Sequence, residues 1–238
     1  MKKAIIIGAT SGIGKAVAEI LLQEGYLVGV TGRREDLFPA MQQQFTGRIF
    51  CKKMDVQELS TLTSICNELV NQMGGLDLLV ISAGIGEGNK QLDFEIENDV
   101  IKTNIQGFTC IADWGITFFK KQGYGHLVNI SSIAGIRGNG LAPSYNASKA
   151  YQINYLEGLR LNTVKSGFDI TVTDIRPGFV DTAMAKGNGL FWVAPIQKAA
   201  EQIVEAIQQK RKVVYITKRW GLIGYFLKII PFAFLKRV

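Results

Sequence analysis

Seven short aliphatic runs, Ala4–Ile7, Leu27–Val30, Arg48–Lys53, Leu76–Ile81, His126–Ile130, Ile170–Ile175 and Val213–Ile216, recur along the sequence. Longer stretches with apolar residues at helical spacing separate them, among them Gly14–Glu24, Leu59–Met73 and Ala147–Lys165. Runs that are apolar throughout belong to strands covered on both faces, and strands separated by helices belong to a parallel sheet. The expected fold is therefore α/β, a single-domain Rossmann-type doubly wound parallel sheet of about seven strands with helices on both faces. Its crossovers are right-handed, and ligands meet it at the carboxyl ends of the strands.

Composition supports that reading. A chain of 238 residues with 47% hydrophobic content can bury a full core. Only five prolines and no long polar tract leave little room for a linker or a disordered region. Residues 1–217 are read as a dinucleotide-binding catalytic domain, and 218–238 as a basic amphipathic C-terminal tail that is part of it or appended to it. Cys51, Cys66 and Cys110 have no paired spacing and the chain has one His, so no metal site is expected and reduced thiols suit a cytoplasmic location. Met1-Lys2-Lys3 and the run after it imitate a signal peptide, but glycine arrives after four apolar residues, which reads as a first strand. A net charge of +7 fits an anionic cofactor, an acidic partner, a membrane surface or solubility alone. No nucleic acid is expected as a partner.

Gly8-Ala9-Thr10-Ser11-Gly12-Ile13-Gly14 follows the first strand and opens the first helix. Such glycines permit a tight turn and close approach of backbone to a pyrophosphate, whose charge the helix N-terminus favours. The spacing alone is a weak signal; its place between strand and helix gives it weight. At the end of the second strand, where an acid would bind a free ribose 2′-hydroxyl, the chain reads Val30-Thr31-Gly32-Arg33-Arg34. A guanidinium suits a 2′-phosphate, so NADP(H) is favoured over NAD(H). The competing reading has Arg34 opening a solvated helix with Glu35 and Asp36, so that only Arg33 matters. Asp55, with Val56 beside it, is placed to meet an adenine amino group, or else to cap the helix that begins near Leu59. Ser82, Ala83 and Gly84 end the fourth strand, either admitting the ribose or forming an ordinary turn.

Tyr145 and Lys149 lie four residues apart on one helix face, with Ser132 thirteen residues before the tyrosine at the end of an apolar run. Reducing a carbonyl needs a positioned acid, and a nearby cation lowers a tyrosine's pKa from about 10. Lys149 is expected to be that cation, and Ser132 to hold the carbonyl oxygen toward Tyr145. Ser131 points the other way, to the sheet or a turn, because side chains alternate along a strand.

With these motifs, from Lys3 to about Ile216, the chain resembles the short-chain dehydrogenase/reductase family, classical type. The resemblance selects Ser132 as the active serine and implies that Asn104, in K-T-N-I-Q-G, joins the set. The implied proton relay runs from Tyr145 through the ribose hydroxyl and Lys149 to water near Asn104. It further implies that Pro177, Gly178, Val180 and Thr182 contact the nicotinamide, the threonine through its carboxamide. Two departures stand out: Ile7 where the family usually has threonine, and Ile81-Ser82-Ala83-Gly84 in place of Asn-Asn-Ala-Gly.

The expected substrate lining is mostly apolar, with Ser132, Ile133, Phe179, Met184, Phe191 and Trp192, the last two on a mobile loop within Pro177–Pro195. A hydrophobic ketone or aldehyde, or its alcohol, fits it. The expected assembly is a homodimer or homotetramer, joined through helices around Asp99–Lys121 and Ala147–Lys165. The tail mixes aromatic and aliphatic residues with lysine and arginine, and either lies peripherally on anionic lipid or packs on the body or a second subunit. The alternative function is an NADP(H)-sensing regulatory or membrane-associated binding protein, for which a proton relay would be superfluous.

Overall fold

A computed structural model describes residues 1–185 and 190–231. The strands are β1 (Lys3–Ile7), β2 (Leu27–Gly32), β3 (Ile49–Lys53), β4 (Leu78–Ile81), β5 (Tyr124–Ile130), β6 (Asp169–Pro177) and β7 (Val213–Ile216). They form one parallel sheet in the order β3-β2-β1-β4-β5-β6-β7. The helices are α1 (Gly12–Gln23), α2 (Phe38–Gln44), α3 (Leu59–Met73), α4 (Phe94–Ile101), α5 (Phe108–Gln122), α6 (Pro143–Ser166), α7 (Ile196–Gln208) and α8 (Trp220–Ile229).

The apolar runs are continuous because the sheet is covered twice. On β1, Ala4 and Ile6 enter a core shared with α1, α2 and α7, while Ile5 and Ile7 enter one shared with α3, α5 and α6. Ile5, Ile6 and Ile7 are fully buried, each contributing about 2 kcal/mol by removal from water. The strand order reverses at β1, whose neighbours are β2 and β4. The loops leaving β1 and β4 part there, and the crevice between them is where a doubly wound sheet receives its ligand.

Several elements extend beyond the expected limits, and two of these extensions bear on the site. Helix α6 begins at Pro143, four residues before Ala147, since proline suits the first helical turn, where an N–H has no intrahelical partner. The carboxylate of Glu97 on α4 accepts from Ser144 N at 3.0 Å, capping a helix that has no side-chain cap of its own. Strand β6 continues to Pro177 and carries Asp174, fully buried, with Arg176 Nε donating to it at 2.7 Å.

The described part of the tail packs on the body. Trp220 and Gly224 of α8 are buried, with Gly224 against Tyr215 and Ile136. The guanidinium of Arg137 donates to the carbonyls of Leu227 and Ile230, both at 2.6 Å, neutralising orphan groups at the helix C-terminus. Residues 232–238 of the tail lie outside the described residues, as do 186–189 of the Pro177–Pro195 segment. Around the latter, Val180 pairs with Ala194, and Asp181 N donates to Ala194 O at 2.9 Å. Among the described residues no helix is long and apolar enough to cross a membrane.

Candidate active site

The glycine loop is shaped for a bound dinucleotide. Gly8 has φ +84°, and a Cβ there would lie 2.6 Å from Ala83 N, so only glycine lets the β1 and β4 loops touch. At Gly14 a Cβ would overlap the carbonyl of Gly8, and the Ser82 hydroxyl would lie 3.0 Å away. Gly12, φ +60°, faces open space with Thr182 Cγ2 3.9 Å from the same notional position. Ser11 makes no side-chain cap on α1, which leaves the first-turn N–H groups of the helix directed at the crevice. These residues fit the pyrophosphate of NADP(H) or NAD(H), and Thr182 reaches the loop from the β6 side.

Contacts bear on two open alternatives, and Arg34 does precede a 3₁₀ turn, Glu35–Leu37, whose two acids are exposed. Arg34 Nη2 donates to Thr10 Oγ1 at 3.1 Å, while Glu35 pairs with Lys53 at 3.9 Å. Arg34 therefore turns to the glycine loop rather than to its acidic neighbours. Gly32, where a Cβ would be 2.5 Å from Thr10 Cγ2, brings the end of β2 against that loop, and Arg33 and Arg34 are both exposed. Asp55 Oδ1 accepts from Gln57 N at 3.1 Å, closing a turn, and α3 starts only after Glu58, so Asp55 is not its N-cap. Val56 and Val180 are core residues by their side chains, 8% and 4% exposed.

On the opposite wall four polar groups converge. A Cβ on Gly84 would lie 3.3 Å from Asn104 Oδ1 and 3.4 Å from Lys149 Nζ. Asn104 is fully buried; its Oδ1 accepts from Ile85 N at 2.9 Å, and its Nδ2 donates to Ile85 O at 2.7 Å and Ser148 Oγ at 3.0 Å. It sits in a π-helical turn, Lys102–Gly107, and its own carbonyl accepts from Gln152 Nε2 at 2.9 Å. Such a turn releases carbonyls from the regular ladder for outside partners. Lys149 Nζ donates to Ile130 O and Gln152 Oε1, both at 3.1 Å.

Tyr145 lies beside Ser132, whose hydroxyl favours the phenolate, and over Gly86, where a Cβ would be 2.6 Å from its ring. Ser132 Oγ also accepts from Ala134 N at 3.1 Å, whereas Ser131 Oγ donates to Asp174 and to Ile175 O. The two serines thus diverge, and Ser132 is the one on the tyrosine. The expected depression of the Tyr145 pKa by Lys149 does not appear: burial pushes the phenol above 10, against the Ser132 hydrogen bond. Lys149 Nζ is 5.9 Å from the ring centroid with its donors turned to Ile130 and Gln152. Burial lowers Lys149 itself to about 8, opposed by the Asp174 carboxylate.

An aromatic wall stands beside this cluster. Phe179 and Phe191 pack on Trp220 with centroids at 5.4 and 5.2 Å, and Trp192 joins at 6.1 Å with the Arg219 guanidinium 4.9 Å over its ring. A Cβ on Gly178 would overlap the Trp220 indole. Phe191, Trp192 and Met184 are half exposed, and Ile133 opens the short 3₁₀ turn after Ser132.

Sequence reasoning passed over Gln152, Glu97 and Trp220. Gln152 was within reach, because three residues after Lys149 it shares that helix face. Glu97 acts across a tertiary contact without a local signature. Trp220 was hidden in a stretch whose basic character drew attention to its surface.

Comparison with known proteins gives this geometry its lineage. A family described as short chain dehydrogenase matches residues 2–192. An uncharacterized oxidoreductase of Staphylococcus epidermidis is 30% identical over 212 residues, 87% of this chain and 91% of that protein. A Staphylococcus aureus counterpart is 32% identical over 186 residues, 77% of this chain and 80% of its own. Among solved structures, ElxO with NADP bound has a TM-score of 0.80 at 25% identity, covering 90% of this chain and 96% of that one. A short chain dehydrogenase/reductase from Burkholderia phymatum in complex with NAD has a TM-score of 0.86 at 19% identity, covering 94% and 92%. With its sheet, glycine loop and matched span all in agreement, the chain belongs to the short-chain dehydrogenase/reductase family of oxidoreductases.

Proposed function

We propose that this oxidoreductase interconverts a hydrophobic ketone or aldehyde and its alcohol, using NADP(H) in preference to NAD(H). The observation that carries the reading is the convergence of Asn104 and Lys149 on Gly84, beside Tyr145 and Ser132. NADPH supplies the hydride when bound. A neutral phenol at physiological pH, which burial of Tyr145 favours, is the form that donates a proton to a carbonyl oxygen. Ser132 orients that oxygen and stabilises the negative charge growing on it. Lys149, held by Ile130 O and Gln152, sets the field around the phenol, and Asn104 braces the loop at Ile85.

Preference for the 2′-phosphate is supported by Arg34, whose bond to Thr10 keeps a guanidinium next to the loop, with Arg33 adjacent and no acid at the end of β2. ElxO, with NADP bound, agrees; the Burkholderia relative holds NAD, so the choice within the family varies. The aromatic wall of Phe179, Phe191, Trp192 and Trp220 supports an apolar substrate. Leu161 and Val164 on α6, 61% and 75% exposed, support a homo-oligomer joined through that helix.

The test is a panel of carbonyls and alcohols followed by nicotinamide absorbance with each cofactor. Tyr145→Phe should lower turnover by roughly 10²- to 10⁴-fold while the protein still binds NADPH. Undiminished hydride transfer in that variant would reject the mechanism.

A further inference from the structure

Helix α8 presents apolar side chains outward. Leu222, Tyr225, Phe226 and Ile229, spaced at i, i+3, i+4 and i+7, are 68%, 63%, 62% and 60% exposed, while Trp220 and Gly224 face the body. A globular surface helix shows the reverse distribution. Beside its first turn, Phe191, Trp192 and Val193 are 48%, 47% and 37% exposed, joined to α8 through Trp220. The four on α8 form one stripe rather than scattered single residues, which marks a surface meant to be covered.

Charge identifies what covers it. Lys218 and Arg219 precede the stripe by one turn on the same side, and Lys228 lies next to it; all three are exposed. After Glu205 the chain has no acidic residue, while Lys210, Arg211, Lys212, Lys218, Arg219, Lys228, Lys236 and Arg237 follow. A second copy docking by a two-fold axis would set these cations against their own equivalents. An anionic bilayer pairs with them and receives the apolar side chains in one geometry, and Tyr225 and Trp192 combine an apolar body with a polar tip that suits the headgroup level.

We propose that the outward face of α8, with the adjoining Trp192 edge, docks in the plane of an anionic lipid surface. The helix lies in the interface and does not span it, since ten residues reach only about 15 Å. Docking brings the outer edge of the aromatic wall to the lipid.

The test is co-sedimentation of the full chain with vesicles of phosphatidylcholine alone and with phosphatidylglycerol mixed in, at low and high salt. Binding is expected only with phosphatidylglycerol, and weaker at high salt. Leu222→Ser/Phe226→Ser should weaken it at least tenfold, and Lys218→Gln/Lys228→Gln roughly 10- to 30-fold. Both pairs are exposed, so thermal unfolding should match that of the unaltered protein; if the first pair perturbs it, the lysine pair still decides. Protein left in solution with either lipid, equal binding to both, or variants that bind undiminished would overturn the proposal. So would a dimer that Leu222→Ser/Phe226→Ser dissolves in a protein that ignores vesicles, which would assign the face to a second copy.

Discussion

Ser131 donates its hydroxyl to the fully buried carboxylate of Asp174, while its neighbour Ser132 turns to Tyr145. The first contact joins β5 to β6 at the level where the second serine leaves the sheet, so adjacent hydroxyls divide anchoring from the proposed chemistry. Ser131→Ala should cost about 1–3 kcal/mol, the penalty for depriving a buried acceptor of a donor, with a smaller loss of turnover. Ser132→Ala should unfold at nearly the same denaturant concentration yet lose roughly 10²- to 10³-fold in kcat. Urea titration and steady-state kinetics on the two variants separate these effects, and similar profiles for both would contradict the division.

The contact of Arg34 with Thr10 predicts a cofactor-specific defect. Arg34→Ala should reduce kcat/KM for NADPH by roughly 10- to 100-fold, the loss of one charge-assisted bond to phosphate, and leave NADH kinetics nearly unchanged. Arg33→Ala measured alongside shows how the two guanidinium groups share the task. Equal losses with both cofactors would mean that Arg34 serves the loop and not the phosphate.

Two ionisable groups in the active site predict the alkaline side of the pH–rate profile. Tyr145 is raised above 10, so its phenol stays protonated through neutral pH, whereas Lys149, at about 8, gives up its charge first. The kcat/KM for carbonyl reduction should be level below pH 8 and decline above it. A decline that began only above pH 10 would assign it to the phenol instead.

His126, the chain's single histidine, predicts the acid side of the stability curve. Its ring bonds Thr173 at 2.8 Å, and burial, reinforced by Lys210 and Lys2, lowers it from 6.5 to about 4. The unfolded chain then takes up the proton more readily than the folded one. Stability supplied by the neutral ring is whole above pH 6.5 and is lost as pH falls toward 4, by roughly 3 kcal/mol. Denaturant midpoints between pH 4 and 7 should fall steeply, and less so in His126→Gln.

The strands were legible because a sheet covered on both sides demands unbroken apolar runs, and Ala4–Ile7 or Leu78–Ile81 leave no other reading. Tyr145 and Lys149 were legible because helical spacing is a local rule, whereas the choice of Ser132 over Ser131 rests on the resemblance. Asn104 came only by resemblance: its π-turn and its grip on Ile85 depend on a loop and a helix that no periodicity connects. Asp174 and Arg176 stand two apart on β6, but Ser131, the other partner of Asp174, lies 43 positions away. The phenol of Tyr145 follows its burial, since sequence spacing gives the neighbourhood of a lysine and not the direction of its donors.

The indole of Trp220 fills the space that Gly178 leaves bare, and Trp220 follows every strand of the sheet in chain order. In the order of synthesis the sheet, the glycine loop and Ser132, Tyr145 and Lys149 therefore all precede the residue that backs the aromatic wall. A chain ending before Trp220 would hold every strand of the sheet and leave the space beside Gly178 unfilled.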